Sequence, residues 1–465
     1  MSQIKFGTDG WRAIIAKDYT VANIERVAEG TAKWMLKRKM KQAVIGYDCR
    51  FGGPMFMEVV CRVLGNYGIK TLYSKGFAST PMVSLGVVKT GSDLGIVITA
   101  SHNPPSYNGF KLKSNFGGPS APSDIAEVEV LIPNTPLSSF PTFEEVKLNG
   151  LLEDIDLEQM YIDHIFASFD MDAIKSSNIK LACDAMYGAG QNVFKRIFSD
   201  AVLLHCDYNP SFMGQAPEPI GRNLTQLSNI VSNDTNIKMG LAIDGDADRI
   251  GLFDEDGNFV DSHHILLLLI QYLHKVKGLS GKIVVSFSVT DKVRKMAEIY
   301  GLDCIVTPIG FKYTAEIMTK EDVLVGGEES GGIAVKGHIP ERDGIWIGLV
   351  LLEYMAITGK SLKQLIQDVY NVVGTFYFDR DDLHLNNDKK LEIIDRAKNG
   401  KITHIGNRSI IKTEDIDGYK YYISDEEFVM IRASGTEPLL RVYCQAATPS
   451  DVRAILDMAR ETLLG

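Results

Sequence analysis

The chain has 465 residues, 45% hydrophobic and 23% charged, the composition of a soluble globular protein too long for one ordinary core, so three or four domains are expected. A formal net charge of −10 argues against nonspecific nucleic-acid binding, and the longest apolar burst, ILLLLI at 265–270, is far too short for a membrane span. The opening MSQIKFGTDGWR has no apolar targeting core, and Cys49, Cys61, Cys183, Cys206, Cys304 and Cys444 form no CxxC pair, which withdraws support from zinc or thioredoxin-type chemistry and suits a reducing cytoplasm.

In chain order, a helical pattern over 21–39 leads to a strand at 43–47. A second strand, 94–99, runs straight into Ser101, His102 and Asn103, two prolines, and an Asn108-Gly109 pair that ends in Lys111. A serine at a strand end, in a loop stiffened by Pro104 and Pro105, is placed to be a fixed nucleophile or phosphate carrier; the plainer reading is a surface turn, since Ser, Asn, Pro and Gly are ordinary turn residues. No G-x-S-x-G surrounds Ser101, so a hydrolase triad is not expected. The Pro-rich stretch 131–146 breaks both periodicities and reads as a linker.

Further strands fall at 179–183 and 239–243, and the second runs into Asp244, Asp246 and Asp248. Three carboxylates at i, i+2 and i+4 repel one another unless a cation neutralises them, and a hard divalent ion, Mg²⁺ above all, is the natural partner. An EF-hand would need glycine where Arg249 stands, and Ala247-Asp248 breaks the pattern of the haloacid dehalogenase phosphatases. A solvated acidic turn is the bland alternative. A hairpin is expected at 254–257, a helix at 262–277, and strands at 282–287 and 322–327. After the last of these, Gly326, Gly327, Gly331 and Gly332 let backbone approach a ligand, and Glu328 and Ser330 offer groups of the kind that read sugar hydroxyls. A break falls near 371–390. Beyond it two strand-like runs flank Arg432, Ser434, Gly435 and Thr436, a plausible anion cradle. No G-x-G-x-x-G follows a strand and no Walker A loop is present, so a dinucleotide cofactor is unsupported. Apolar strands separated by helices indicate α/β layers with substantially parallel sheets, in which ligands gather outside the carboxyl ends of strands. The last stretch reads as α+β.

Together the stretches FGTDGWR (6–12), TASHNP (99–104), the Asp244–Asp246–Asp248 loop, GEESGG (327–332) and RASGTEP (432–438) resemble the α-D-phosphohexomutase family of phosphoglucomutases, phosphomannomutases and phosphoglucosamine mutases. The resemblance covers nearly the whole chain. It implies four domains around a central cleft: three related α/β domains with mixed sheets, expected at 1–140, 153–253 and 254–370, and a smaller α+β domain at 371–465.

It further implies that Ser101 carries a phosphoryl group, that Asp244, Asp246 and Asp248 hold Mg²⁺ against it, and that Arg12, His102, Lys111 and Arg249 surround the transferring group. Lys111 is the first choice for proton transfer, with a pKa lowered by neighbouring cations. Arg432, Ser434, Gly435 and Thr436 would grip the phosphate that is not reacting, while Glu328 and Ser330, with Lys312 and His338 beside them, would hold the sugar. The expected reaction interconverts hexose 1-phosphate and 6-phosphate through glucose 1,6-bisphosphate, with small hexose phosphates as partners, no nucleic acid or membrane, and a cytoplasmic monomer or homodimer. Glucose is the expected sugar. GEESGG and PIGFKY (308–313) look glucose-directed, and Gly332 stands where glucosamine-directed members usually carry a histidine. The alternatives are a phosphomannomutase or dual-specificity enzyme and, more remotely, a phosphoglucosamine mutase, a phosphoserine-type phosphatase or a non-catalytic sugar-phosphate-binding protein.

Overall fold

The computed structural model describes residues 4–7, 9–433 and 439–465. The chain divides into a larger compact unit, Met1–Val284 with Gly310–Leu365, and a smaller one, Val285–Ile309 with Ile366–Gly465. Among the described residues no single helix is long and apolar enough to cross a membrane.

The first sheet of the larger unit has six strands in the order Trp11–Ile14, Tyr107–Ser114, Leu94–Ile98, Gln42–Tyr47, Lys70–Ser74 and Leu152–Ile155. The last four run parallel to their neighbours, and Tyr107–Ser114 returns antiparallel between Leu94–Ile98 and Trp11–Ile14. Every residue of Leu94–Ile98 is buried, which explains its unbroken apolar run: a central strand covered on both faces has no polar side to show. Helix Val21–Lys37, capped by the Thr20 side chain, buries Ile24, Val27, Ala28 and Met35 at helical spacing against this sheet's core. The register sets the site, because Val97 pairs with Lys111 and Arg12 pairs with Gly109. That brings Arg12 and Lys111 to the end of the sheet from which Ser101 emerges.

The Pro-rich stretch is less of a linker than its composition implies. Helix Pro122–Leu131 enters it, a Thr142–Glu145 capping box starts helix Phe143–Leu148, and Leu152–Ile155 then closes the edge of the first sheet.

The second sheet runs Phe259–Val260, Ile250–Phe253, Ile237–Ile243, Lys180–Asp184, Val202–Leu204. Ile243 pairs antiparallel with Ile250, so the three aspartates occupy the connection of a hairpin. The expected turn at 254–257 is present, with Gly257 at φ 79°, and it adds strand Phe259–Val260 to the same sheet. The strand Val323–Gly327 pairs antiparallel with Ile333–Val335, which makes Glu328–Gly332 another hairpin tip. The helix expected at 262–277 is an α-helix, Ser262–Gln271, that continues as a π-helical turn, Tyr272–Val276.

The smaller unit carries an antiparallel sheet in the order Tyr377–His384, Leu439–Ala446, Phe428–Ala433, Tyr419–Tyr422, Lys412–Glu414. Val429 and Ile431 join the core beneath helix Pro449–Leu464, while Phe428 and Met430 pack with Phe287 and Tyr443 in a separate cluster, the alternation a two-faced strand requires.

Two glycines in the larger unit allow close approach to the aspartate loop. A Cβ on Gly188 would lie 2.7 Å from the Asp244 carbonyl oxygen, and one on Gly344 would lie 2.3 Å from that of Arg249. Gly344 opens helix Gly344–Thr358, and its N–H donates to the Ala247 carbonyl at 3.0 Å. The variant Gly344→Ala is expected to lose about 1–3 kcal/mol of stability through overpacking, read as a lower urea midpoint. An unchanged midpoint would show that this contact is not tight.

Candidate active site

Ser101 follows the buried strand and sits at φ 53°, a left-handed conformation that residues with a side chain rarely adopt. Its N–H donates to Thr99 Oγ1 at 2.9 Å. Its hydroxyl donates to Asp244 Oδ2 at 2.7 Å and lies 3.2 Å from His102 Nδ1. A strand end, a local hydroxyl tether and a hairpin carboxylate thus fix one oxygen at the base of the site.

Asp244, Asp246 and Asp248 are fully buried, and one oxygen from each can be chosen so that all lie within 4.8 Å of one another. Each has a different partner set. Asp244 accepts from Ser101 and, through Oδ1, from the Arg249 N–H at 3.1 Å. Asp246 Oδ2 accepts from Thr80 Oγ1 at 2.6 Å and from Lys111 Nζ at 2.8 Å. Asp248 Oδ2 meets Lys111 Nζ at 3.1 Å and Arg342 Nη2 at 2.6 Å. The other oxygens of Asp246 and Asp248, both Oδ1, are buried without a hydrogen-bond partner among the described residues. Buried acceptors of that kind are costly unless something fills them. Three clustered oxygen donors with two lone Oδ1 atoms fit a hard divalent cation such as Mg²⁺.

Charge coupling separates these carboxylates. Burial, then the proximity of Asp246 and Asp248, pushes Asp244 well above the usual carboxylate range. Burial acts the same way on Asp246, but the charge and hydrogen bond of Lys111 overcome it and hold Asp246 low. Burial lowers the pKa of His102, and Arg249 and Arg12 lower it further, which disfavours the imidazolium form beside Ser101. Lys111 corrects the expectation of a lowered pKa. Burial does work in that direction, but Asp246, Asp248 and Asp9 outweigh it and raise the ammonium above its ordinary value. The cations expected to depress it are outnumbered at its nitrogen, where Asp9 Oδ2 stands at 2.9 Å.

Arg12 donates to Asn103 Oδ1 at 2.6 Å, and Arg249 stands 3.8 Å from Glu218 Oε1 with its buried Nε unpaired among the described residues. Glu328 is buried at the hairpin tip, accepts from the Gly310 N–H at 2.7 Å, and is raised chiefly by burial. Lys312 helps line a cavity of about 190 Å³ with Asp9, Gly10 and Ser120. Ser330 is partly exposed on the same tip as Glu328.

His338 is not brought to this site. Its side chain is 1% exposed, stacks on Trp346 at 3.8 Å and approaches Asp343 Oδ2 at 3.0 Å. These contacts make it a packed core histidine. In the smaller unit Arg432 donates to Asp417 Oδ1 at 3.1 Å; Ser434, Gly435 and Thr436 lie outside the described residues.

Sequence reasoning passed over Asp9, Thr80 and Arg342. Arg342 Nη2 reaches both Asp248 and, at 2.5 Å, Asp9 Oδ2, which links the stretch after GEESGG to the aspartate loop. Asp9 lies inside FGTDGWR and Arg342 ten residues after GEESGG, but neither carried a spacing signal. Thr80 had no local signal. It opens helix Thr80–Thr90, and only tertiary folding sets it on Asp246.

Models of the phosphoglucomutase/phosphomannomutase family match four consecutive stretches: its α/β/α domain I over residues 3–137, domain II over 159–257, domain III over 261–373 and the C-terminal domain over 385–462. The chain belongs to this family, the α-D-phosphohexomutases. It is 30% identical over 455 residues to a phosphoglucosamine mutase of Methanococcus maripaludis, covering 95% of this chain and 94% of the relative. It is 28% identical over 469 residues to a phosphoglucomutase/phosphomannomutase of Thermococcus kodakarensis, covering 98% of each. Among solved structures, a Thermus thermophilus protein assigned as a phosphomannomutase superposes with a TM-score of 0.88 at 33% identity over the full length of both chains. This phosphohexomutase has the family's three mixed α/β domains and smaller C-terminal domain with an antiparallel sheet.

Thr80 orients Asp246, so Thr80→Val is expected to weaken Mg²⁺ binding ~10–100-fold by titration calorimetry, with the far-UV spectrum unchanged. Wild-type affinity in that variant would show that the Thr80 hydroxyl does not orient Asp246 for the metal.

Proposed function

We propose that this phosphohexomutase carries the transferred phosphoryl group on Ser101 and interconverts glucose 1-phosphate and glucose 6-phosphate through glucose 1,6-bisphosphate. The observation that carries the reading is the Ser101 hydroxyl, 2.7 Å from Asp244 in the buried triad and 3.2 Å from the His102 imidazole. In the forward half-reaction the bond from Ser101 Oγ to phosphorus breaks as a bond from a sugar hydroxyl oxygen forms. The hydroxyl proton ends on Ser101 Oγ, and Lys111 is the residue assigned to relay it. With its pKa raised it starts as the ammonium, so it gives a proton to Ser101 Oγ and takes the sugar hydroxyl's proton in exchange. When bound by Asp244, Asp246 and Asp248, Mg²⁺ supplies positive charge against the phosphoryl oxygens. Arg12 and Arg249 add fixed positive charge, and transfer then depends on alignment and electrostatics. For the return, the bisphosphate turns over and its other phosphate passes to Ser101. Arg432 to Thr436 are assigned to the phosphate not reacting, and Glu328, Ser330 and Lys312 to the sugar.

Gly332 supports the glucose reading. A Cβ there would lie 2.4 Å from Arg342 Cδ, so the place where glucosamine-directed members usually carry a histidine is closed while Arg342 reaches Asp9 and Asp248. A glucosamine reading has its own support, since several relatives at 29–30% identity are named phosphoglucosamine mutases.

The test is kcat/KM for the glucose, mannose and glucosamine 1-phosphates, each primed with its 1,6-bisphosphate, alongside peptide mapping of the phosphorylated protein. Glucose at least matching mannose, glucosamine poor, and phosphate on Ser101 are expected. A glucosamine preference reverses the sugar assignment, and phosphate reproducibly on another residue sinks the mechanism.

A further inference from the structure

Arg50 lies in no stretch that the mechanism uses, yet it is among the most completely engaged side chains in the larger unit. It is 0% exposed. Its Nε meets Asp48 Oδ2 at 3.2 Å. One terminal nitrogen donates to the carbonyls of Pro104 at 2.9 Å and Tyr107 at 3.0 Å, and the other to those of Ser101 at 2.5 Å and Asn103 at 2.7 Å. The guanidinium also sits over the Phe212 ring at 5.1 Å. A guanidinium has five N–H donors in a rigid fork, and here each has an acceptor.

Four of those acceptors are main-chain carbonyls of the loop that presents Ser101. The other side of Ser101 is held by the same device. Its N–H donates to Thr99 Oγ1, whose own hydroxyl donates to Asp48 Oδ2 at 2.6 Å, and Asp48 Oδ1 accepts from the Arg50 N–H at 2.9 Å. Both peptide groups of a residue at φ 53° are therefore tied to one buried pair. A free loop would relax toward ordinary dihedrals and swing the hydroxyl away from Asp244.

We propose that Arg50 is a positioning residue for phosphoryl transfer: through the carbonyls of Ser101, Asn103, Pro104 and Tyr107 it fixes the direction in which the Ser101 hydroxyl points. This rests on the reading that Ser101 carries the phosphoryl group. Arg50 is fully buried with every N–H donor occupied by protein acceptors, so its removal slows transfer and leaves binding nearly unchanged. Lysine has three donors without the fork and cannot hold five acceptors.

The experiment compares Arg50→Lys with the wild type in three readouts: the single-turnover rate at which glucose 1,6-bisphosphate labels Ser101, the KM for hexose phosphate, and hydrogen exchange along the chain. A ~100-fold slower labelling is expected, the size of effect that a small misplacement of a reacting atom produces. KM should stay within about threefold, since Arg50 makes no uniform binding contact. Exchange should rise in residues 100–108 and not across the domain. A folded variant that labels at the wild-type rate, or that loses KM in step with rate, overturns the proposal. Should Arg50→Lys fail to fold, Thr99→Val decides: it cuts the other tether of Ser101, and slower labelling with faster loop exchange supports the proposal, whereas wild-type values overturn it. Wild-type protein that takes no label on Ser101 removes the mechanism itself, and with it this role for Arg50. That result is separable, because it is seen before any variant is made.

Discussion

Asp244, Asp246 and Asp248 offer oxygens within 4.8 Å of one another, and none of the three is in contact with solvent. Like charges so close and so dry cannot all stay ionised without compensation. The surroundings of the loop answer that demand. Lys111 and Arg342 reach in from distant segments, Thr80 donates a hydroxyl, and two oxygens are left over. The same arrangement that makes the cluster costly in isolation fits it to hold a divalent cation, and it sets the serine oxygen beside the cluster.

The fold meets that demand through strand ends. The hairpin between Ile237–Ile243 and Ile250–Phe253 presents the aspartates, and the antiparallel return of Tyr107–Ser114 presents Lys111 level with the strand that leads to Ser101. Close backbone packing at Gly188 and Gly344 leaves the loop little room to move. Rigidity on both sides, the aspartate loop and the serine loop, suits a reaction whose barrier falls mainly through alignment and fixed charge.

What the sequence made legible was local. Ser101 after an apolar strand, the i, i+2, i+4 aspartates and the glycine-rich tip each announce themselves within a dozen residues. What it hid depends on contacts between distant segments. Thr80 and Asp246 are 166 positions apart, and Asp9 and Arg342 are 333 apart. Arg50 carries no motif or spacing signal, and only its ring of carbonyls sets it apart. Lys111 departs from expectation because sequence names its neighbours without distances: three carboxylates stand within 3.1 Å of its nitrogen. His338 was misjudged for the converse reason, since a histidine following a sugar-loop motif is here consumed by an aromatic stack.

The central claim is that one divalent cation joins the three aspartates to the phosphoryl-bearing oxygen of Ser101. The direct measurement is a crystal structure of the Ser101-phosphorylated protein with Mn²⁺ in place of Mg²⁺, located by anomalous scattering. One strong peak is expected within ligand distance of Asp244, Asp246, Asp248 and an oxygen on Ser101. A peak bound elsewhere, or a triad that stays empty at saturating Mn²⁺ with Ser101 phosphorylated, would contradict it.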